Sequence, residues 1–294
     1  MSKFSPSEAA LEGFRLTRER PGTIFGWGLV FAVCIFLIGQ VMLLSLDPHL
    51  IELSRRHKPV DQQDIEQISG LLAQSWPAFL LVLVLVVGLY STLMGGIYRL
   101  VLRPGEKGFL HLRLGRDELR LTAVNLLLFA IGMVCLTAEL AAVAAANQQG
   151  GIAIVAALVL PIVTAWIGVR LSLATPMTFD LHRFTIRDAW IASRGKFWSL
   201  LGMIVLAAIF YVMVWLLISI IGAALVALAG GAQALEDLSA VRGPTIVVAA
   251  LVVFLQLMLQ VIQVVMLYAP FAVAYQELHG DRPANPLRLR LPGR

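Results

Sequence analysis

Residues 197–229 read FWSLLGMIVLAAIFYVMVWLLISIIGAALVALA, with no charged side chain among them. About 20 apolar residues wound as a helix are enough to cross the hydrocarbon core of a bilayer. Outward from this run lie five more of the same kind, giving six candidate spans: Gly22–Leu46, Ala78–Leu102, Leu119–Ala146, Gly151–Thr175, Phe197–Ala229 and Thr245–Tyr275. Lipid offers no water to the backbone, so each span has to satisfy its own N–H and C=O groups, as a helix does. The alternation that marks an outer-membrane strand is absent from them. The first run is too long for a signal-peptide core and is expected to be a retained anchor.

Composition agrees. The 294 residues are 59% hydrophobic and 14% charged, and the mean hydropathy is +0.84. A soluble domain carries about 25% charged residues, so a water-facing surface could not be covered. Intrinsic disorder is excluded by the same numbers. The reading is an all-α polytopic membrane protein with a single membrane domain over residues 1–280. Residues 281–294 are expected to be a flexible, basic, Pro-rich tail.

Several chemistries lack their residues. Cys34 and Cys135 lie inside apolar runs and form no CxxC pair, so a zinc ribbon or redox dithiol has no support. His49, His57, His111, His182 and His279 fall between or beyond the spans, where they cannot serve a haem or di-metal site in a bundle core. No phosphate loop, HExxH or GxSxG motif occurs. No cofactor and no enzymatic activity are expected.

Orientation follows from lysine and arginine. Of 23 such residues, 19 flank the spans on one side, and only Arg55, Arg56, Lys58 and Arg242 lie on the other. By the positive-inside rule both termini are expected in the cytoplasm, in a bacterial inner membrane. Cations so placed imply anionic lipid as partner, not nucleic acid. On the outer side Asp47–Pro77 is the one sizeable connection. Its stretch Asp61–Trp76 spaces Ile65, Ile68, Leu71, Leu72 and Trp76 as one face of an amphipathic helix, either a packed lid or a ligand cap.

A short pattern precedes each odd-numbered span: Phe14–Arg20, Leu112–Glu118 and Trp190–Lys196. Each runs large apolar, any, apolar, small, Arg. This predicts three parallel helical hairpins, each with an amphipathic lead-in lying in the interface. Arg18, Arg116 and Arg194 share one position in the pattern, each after a small residue. They are candidate contacts for anionic headgroups, or else serve only to set topology. Ser5-Pro6-Ser7-Glu8 reads as a capping box, and Thr185 with Asp188 as another helix start.

Around residues 170–198 the sequence resembles a known family. Arg170-Leu171-Ser172-Leu173-Ala174-Thr175-Pro176 is followed by Asp188-Ala189-Trp190-Ile191-Ala192-Ser193-Arg194-Gly195-Lys196-Phe197-Trp198. This is similar to the six-helix membrane domain of glycerophosphoryl diester phosphodiesterase and to YciC-like inner-membrane proteins. In those, a proline ends one helix and a "W-x-x-[ST]-[RK]-G-x-[FW]-[FW]" signature opens the next. Tyr268-Ala269-Pro270 looks like the same device at the end of span 6. The resemblance implies a fold and a location. The hydrolase chemistry of fused relatives lies in a separate soluble domain, and fewer than 20 residues follow span 6 here.

Four polar side chains inside the spans are candidates for a site: Glu139, Gln256, Gln260 and Gln263. A charge at the bilayer centre costs roughly 2.5–3.5 kcal/mol on insertion scales, so Glu139 is expected to face inward. It reads as a proton or cation site, or as a carboxyl bonded to a neighbouring helix. Gln256, Gln260 and Gln263 are spaced by four and three residues and share one face. They read as interhelical glue, or as the lining of a polar crevice. Pro161 is expected to kink span 4. The function expected from all this is a non-enzymatic lipid-binding protein, or a scaffold for an envelope partner. The alternative is a transporter or flippase component working through Glu139 and the glutamines, with a membrane-embedded enzyme third.

Overall fold

The computed structural model describes residues 5–45, 70, 74–105, 109–228, 230–231 and 243–278. Among these, ten α-helices follow one another: α1 (Pro6–Ala10), α2 (Glu12–Glu19), α3 (Pro21–Ser45), α4 (Trp76–Leu102), α5 (Arg116–Gln149), α6 (Ile152–Leu171), α7 (Ala174–Leu181), α8 (Ile186–Ala192), α9 (Phe197–Leu228) and α10 (Gly243–Leu278). Six helical stretches are long and apolar enough to cross a membrane, each within a few residues of its expected limits. Most of the expected outer helix Asp61–Trp76, and the whole tail 281–294, lie outside the described residues.

The prolines behave differently from expectation. The fourth span ends at Leu171, ahead of Pro176, and Pro176 then sits in the first turn of α7. There a missing N–H costs no helical hydrogen bond. α10 runs through Pro270 to Leu278 instead of ending there. The expected caps also differ. Ser5 precedes α1 without a side-chain cap, and its amide donates to Glu277 Oε2 at 3.3 Å. Thr185 is buried, and its hydroxyl bonds Thr178 Oγ1 (2.9 Å) and Ala174 O (3.3 Å). In both places a tertiary partner has displaced the local bond.

The six spans form one bundle in which α3 packs on α4, α5 on α6 and α9 on α10, while α10 also meets α2, α3 and α4. The lead-ins do not share one local structure. The first lies in α2; the middle one, preceded by a 3-10 turn (Phe109–His111), is irregular from Leu112 to Gly115 and then enters α5; the third leaves α8 after Ala192 and turns through Ser193–Gly195. Leu110 and His111 have φ of 51° and 59°, a left-handed turn that non-glycine residues seldom adopt. Trp27 fixes it by donating its indole N–H to Leu110 O at 2.6 Å.

The packed core sits where the basic segments meet. Trp27, Phe31, Leu93, Met94, Ile97, Tyr98, Leu121, Leu173 and Phe179 are its large, fully buried side chains there. α2 reaches α10 through Gly13, where a Cβ would stand 2.6 Å from Met266 Cα. In α4, a Cβ on Gly96 would meet Trp27 and Leu112 at 3.0 Å. Lipid tails are as apolar as leucine, so this close approach, and not expulsion of water, holds the spans together. Away from this end packing thins out. No described residue of α5 after Val124, nor of α6 before Val169, is buried.

Candidate functional site

Where packing thins, a cavity of about 670 Å³ opens between α4, α5, α6, α9 and α10. Ligand pockets generally enclose roughly 300–1,000 Å³. Its wall is mainly hydrocarbon, from residues such as Val87, Leu128, Phe129, Ile167, Leu201 and Phe271. Two glycines widen it: a Cβ on Gly132 or Gly168 would touch nothing within 4 Å. These glycines do not serve helix contact as Gly13 does.

The polar side chains in the wall are mostly engaged elsewhere. Asn125 Nδ2 donates to Ser91 Oγ at 2.8 Å, the Thr175 and Tyr98 hydroxyls share a bond of 2.7 Å, and Ser172 donates to Val169 O at 2.8 Å. Thr164 donates to Glu139, and Tyr90 to Gln260 Oε1 at 3.3 Å. The hydroxyl of Tyr268 has no hydrogen-bond partner among the described residues and is the group left to meet a polar atom in the cavity. A chamber with this wall suits a hydrocarbon chain better than an ion.

The residues singled out in the sequence fall at its margin. Glu139 is half-buried and faces α6 through Thr164, so its carboxyl is turned to protein and only a hydroxyl separates it from the cavity. The glutamines diverge. Gln260 meets α4 through Tyr90, Gln263 accepts from Tyr211 of α9 at 3.3 Å, and Gln256 is exposed. None of the three lines the cavity. Arg18, Arg116 and Arg194 are all exposed, and none makes an ion pair among the described residues. They stand on unlike supports: inside α2, at the first residue of α5, and just after α8. Ser193, taken as a small neighbour of Arg194, is fully buried and donates to Trp190 O at 3.1 Å.

The feature missed by sequence reasoning is a layer of buried charge at the basic end. Arg99 and Glu118 form an ion pair, and both are about 95% covered. Arg99 also donates to His111 O at 3.0 Å, and Glu118 accepts the Gly115 amide at 2.9 Å. One carboxylate therefore caps α5 and neutralises α4, beside Gly95, where a Cβ would press Glu118 Oε1 at 2.9 Å. Arg103 lies over the Phe179 ring at 5.1 Å and reaches Asp180 O at 3.3 Å, while Tyr275 donates to Asp180 Oδ2 at 2.8 Å. His182 and Arg120 both meet Asp117 Oδ1 at 2.7 Å. Two signals were available: an arginine inside the apolar run 78–102, and a glutamate three residues after Gly115. Burial, then the Arg20, Arg99 and Arg113 guanidiniums, hold the His111 imidazole below its ordinary pKa. Among the described residues no three His, Cys, Asp or Glu side chains gather as metal ligands would.

Comparison with protein-family models, with curated proteins and with solved structures finds no match to this chain. What its six long apolar helices establish is a polytopic α-helical membrane protein.

Proposed function

We propose that this is a non-enzymatic, lipid-binding protein of the bacterial inner membrane, holding a hydrocarbon chain of a lipid between its spans. The observation that carries the reading is the cavity of about 670 Å³, hydrocarbon-walled and widened by Gly132 and Gly168. Exposed Arg18, Arg116 and Arg194 at the basic end support anionic headgroups as the lipid's polar partner. The test is lipid analysis of the purified protein against the membrane it came from. One lipid class enriched on the protein is expected. A composition equal to that of the surrounding membrane would contradict the reading.

We read both termini as cytoplasmic and the spans as three parallel hairpins, supported by the 19 of 23 cations on one side. Single cysteines placed at Gln62 and Asn285 should differ toward an impermeant thiol reagent once the outer membrane is opened. Gln62 is expected to label and Asn285 to stay protected. Support for the resemblance to the phosphodiesterase membrane domain comes from contacts within its signature, where Arg170 stacks on Trp190 at 4.9 Å.

A second reading, transport or lipid flipping, is favoured by one observation: the hydroxyl that binds Glu139 also lines the cavity. Glu139→Gln keeps the shape and removes the charge. Retained lipid binding with lost cellular function would favour transport, and full function in both Glu139→Gln and Glu139→Ala would leave the carboxyl a packing role.

A further inference from the structure

Across α6 from the cavity, Arg170 stands in a setting unlike that of the buried arginines of the basic end. Its guanidinium lies over two rings at once, 4.9 Å from Trp190 and 5.5 Å from Trp166. The rings meet edge to face at 5.1 Å and 88°. Trp166 and Arg170 are one helical turn apart on α6, and neither lines the cavity. Trp190 comes from α8, so the stack also fastens the third lead-in to the fourth span. Nη1 reaches Ser193 Oγ at 3.4 Å, and Nε is buried without a hydrogen-bond partner among the described residues.

Charge balance is the telling feature. Arg99 has Glu118, Arg103 has Asp180, Arg120 has Asp117 and Arg183 has Asp188. Arg170 has no carboxylate partner among the described residues, and Ser193, which its Nη1 reaches, is followed in the chain by Arg194 and Lys196. A half-buried cation stacked on aromatic faces has lost water above and below, while a guanidinium edge is the shape that recognises a planar phosphate face. Exposed apolar side chains adjoin the stack: Trp166 is 41% exposed, and Ile191, next to Trp190, 50%. Tryptophans of this kind sit at headgroup level.

We propose that Arg170, framed by Trp166, Trp190 and Ser193, is a binding site for the phosphodiester of an anionic phospholipid. The site lies on the opposite face of α6 from the cavity and stands whether or not the cavity holds a chain. Arg170 supplies the fork, the two indoles fix its plane, and the exposed apolar side chains beside it receive the acyl chains. A soluble phosphate would use the fork and gain nothing from those side chains, which is why a lipid is the expected source.

The probe is an equimolar mixture of phosphatidylglycerol and phosphatidylcholine added to the delipidated full chain, with retained lipid counted by native mass spectrometry. The wild type is expected to keep phosphatidylglycerol in preference. Arg170→Gln should lower that retention about fivefold, the effect of one basic group at an anionic surface. Arg187→Gln, an exposed charge on α8, should leave it close to wild type. Arg170→Lys keeps the insertion signal and loses the fork, so it decides the matter where Arg170→Gln fails to insert, and a clear drop is expected. Retention in the inserted lysine variant equal to wild type overturns the proposal. Millimolar inorganic phosphate that strips phosphatidylglycerol from the wild type also overturns it, in favour of a soluble anion.

Discussion

A side chain added at Gly13 would strike the Met266 backbone at 2.6 Å, whereas one added at Gly168 would find nothing within 4 Å. The two glycines mark two regions built for different ends. At the basic end, close backbone approach and buried ion pairs bind α2, α4, α5 and α10 together. Farther along α5 and α6 no described residue is buried and a cavity opens. A membrane protein gains little from burying leucine away from lipid, so a space inside the bundle is tolerated where a soluble core would collapse. The difference teaches that rigidity and capacity are separated here: one end fixes the helices, and the other leaves room between them.

That contrast can be broken most severely at the ion pair. Glu118→Ala leaves Arg99 buried without its counter-charge, and uncompensated buried charges cost about 3–5 kcal/mol. A collapse of the melting temperature in detergent, or failure to purify, is expected. Next comes Gly13→Leu, which overpacks the α2–α10 contact by about 1–3 kcal/mol. Gly168→Leu should leave the melting temperature unchanged, because its side chain enters open space. Equal losses at the two glycines would erase the distinction between the regions. Thr164→Val removes the bond to Glu139, with an expected cost of about 0.6 kcal/mol and no more than about 1.7.

The smallest effect concerns pH. His111 has a folded pKa held below the unfolded value of 6.5 by burial and by Arg20, Arg99 and Arg113. The unfolded chain therefore takes up its proton first, and the stability present above pH 6.5 is lost as pH falls toward the folded pKa. His111→Gln should flatten that part of the pH–stability curve. A curve equally steep without His111 would assign the loss to other groups.

Much of the architecture was legible in the sequence, because length and hydropathy decide a membrane span almost alone. The six spans were readable from runs such as 197–229, and the inward turn of Glu139 from the cost of a carboxyl in lipid. The glutamine stripe shows the limit. Helical spacing placed Gln260 and Gln263 on one face, yet they bond different spans, because partners depend on which helices lie on either side. The caps expected at Ser5 and Thr185 were lost to Glu277 and Thr178, contacts that no local pattern encodes. The Arg99–Glu118 pair and the cavity belong to packing between spans, where periodicity is silent. The shared lead-in pattern did not give a local conformation: Phe14–Glu19 is helical, whereas Leu112–Gly115 is irregular and follows a left-handed turn at Leu110 and His111.

The central claim is that the cavity holds a lipid chain, and filling it is the direct test. The Gly132→Leu, Gly168→Leu double variant places two side chains in the open space at α5 and α6 without touching the basic end. Lipid carried by wild type and double variant should be counted by native mass spectrometry after identical delipidation. The account predicts an unchanged melting temperature and the loss of one tightly held lipid. A double variant that keeps the same number and class of lipids as wild type would contradict it.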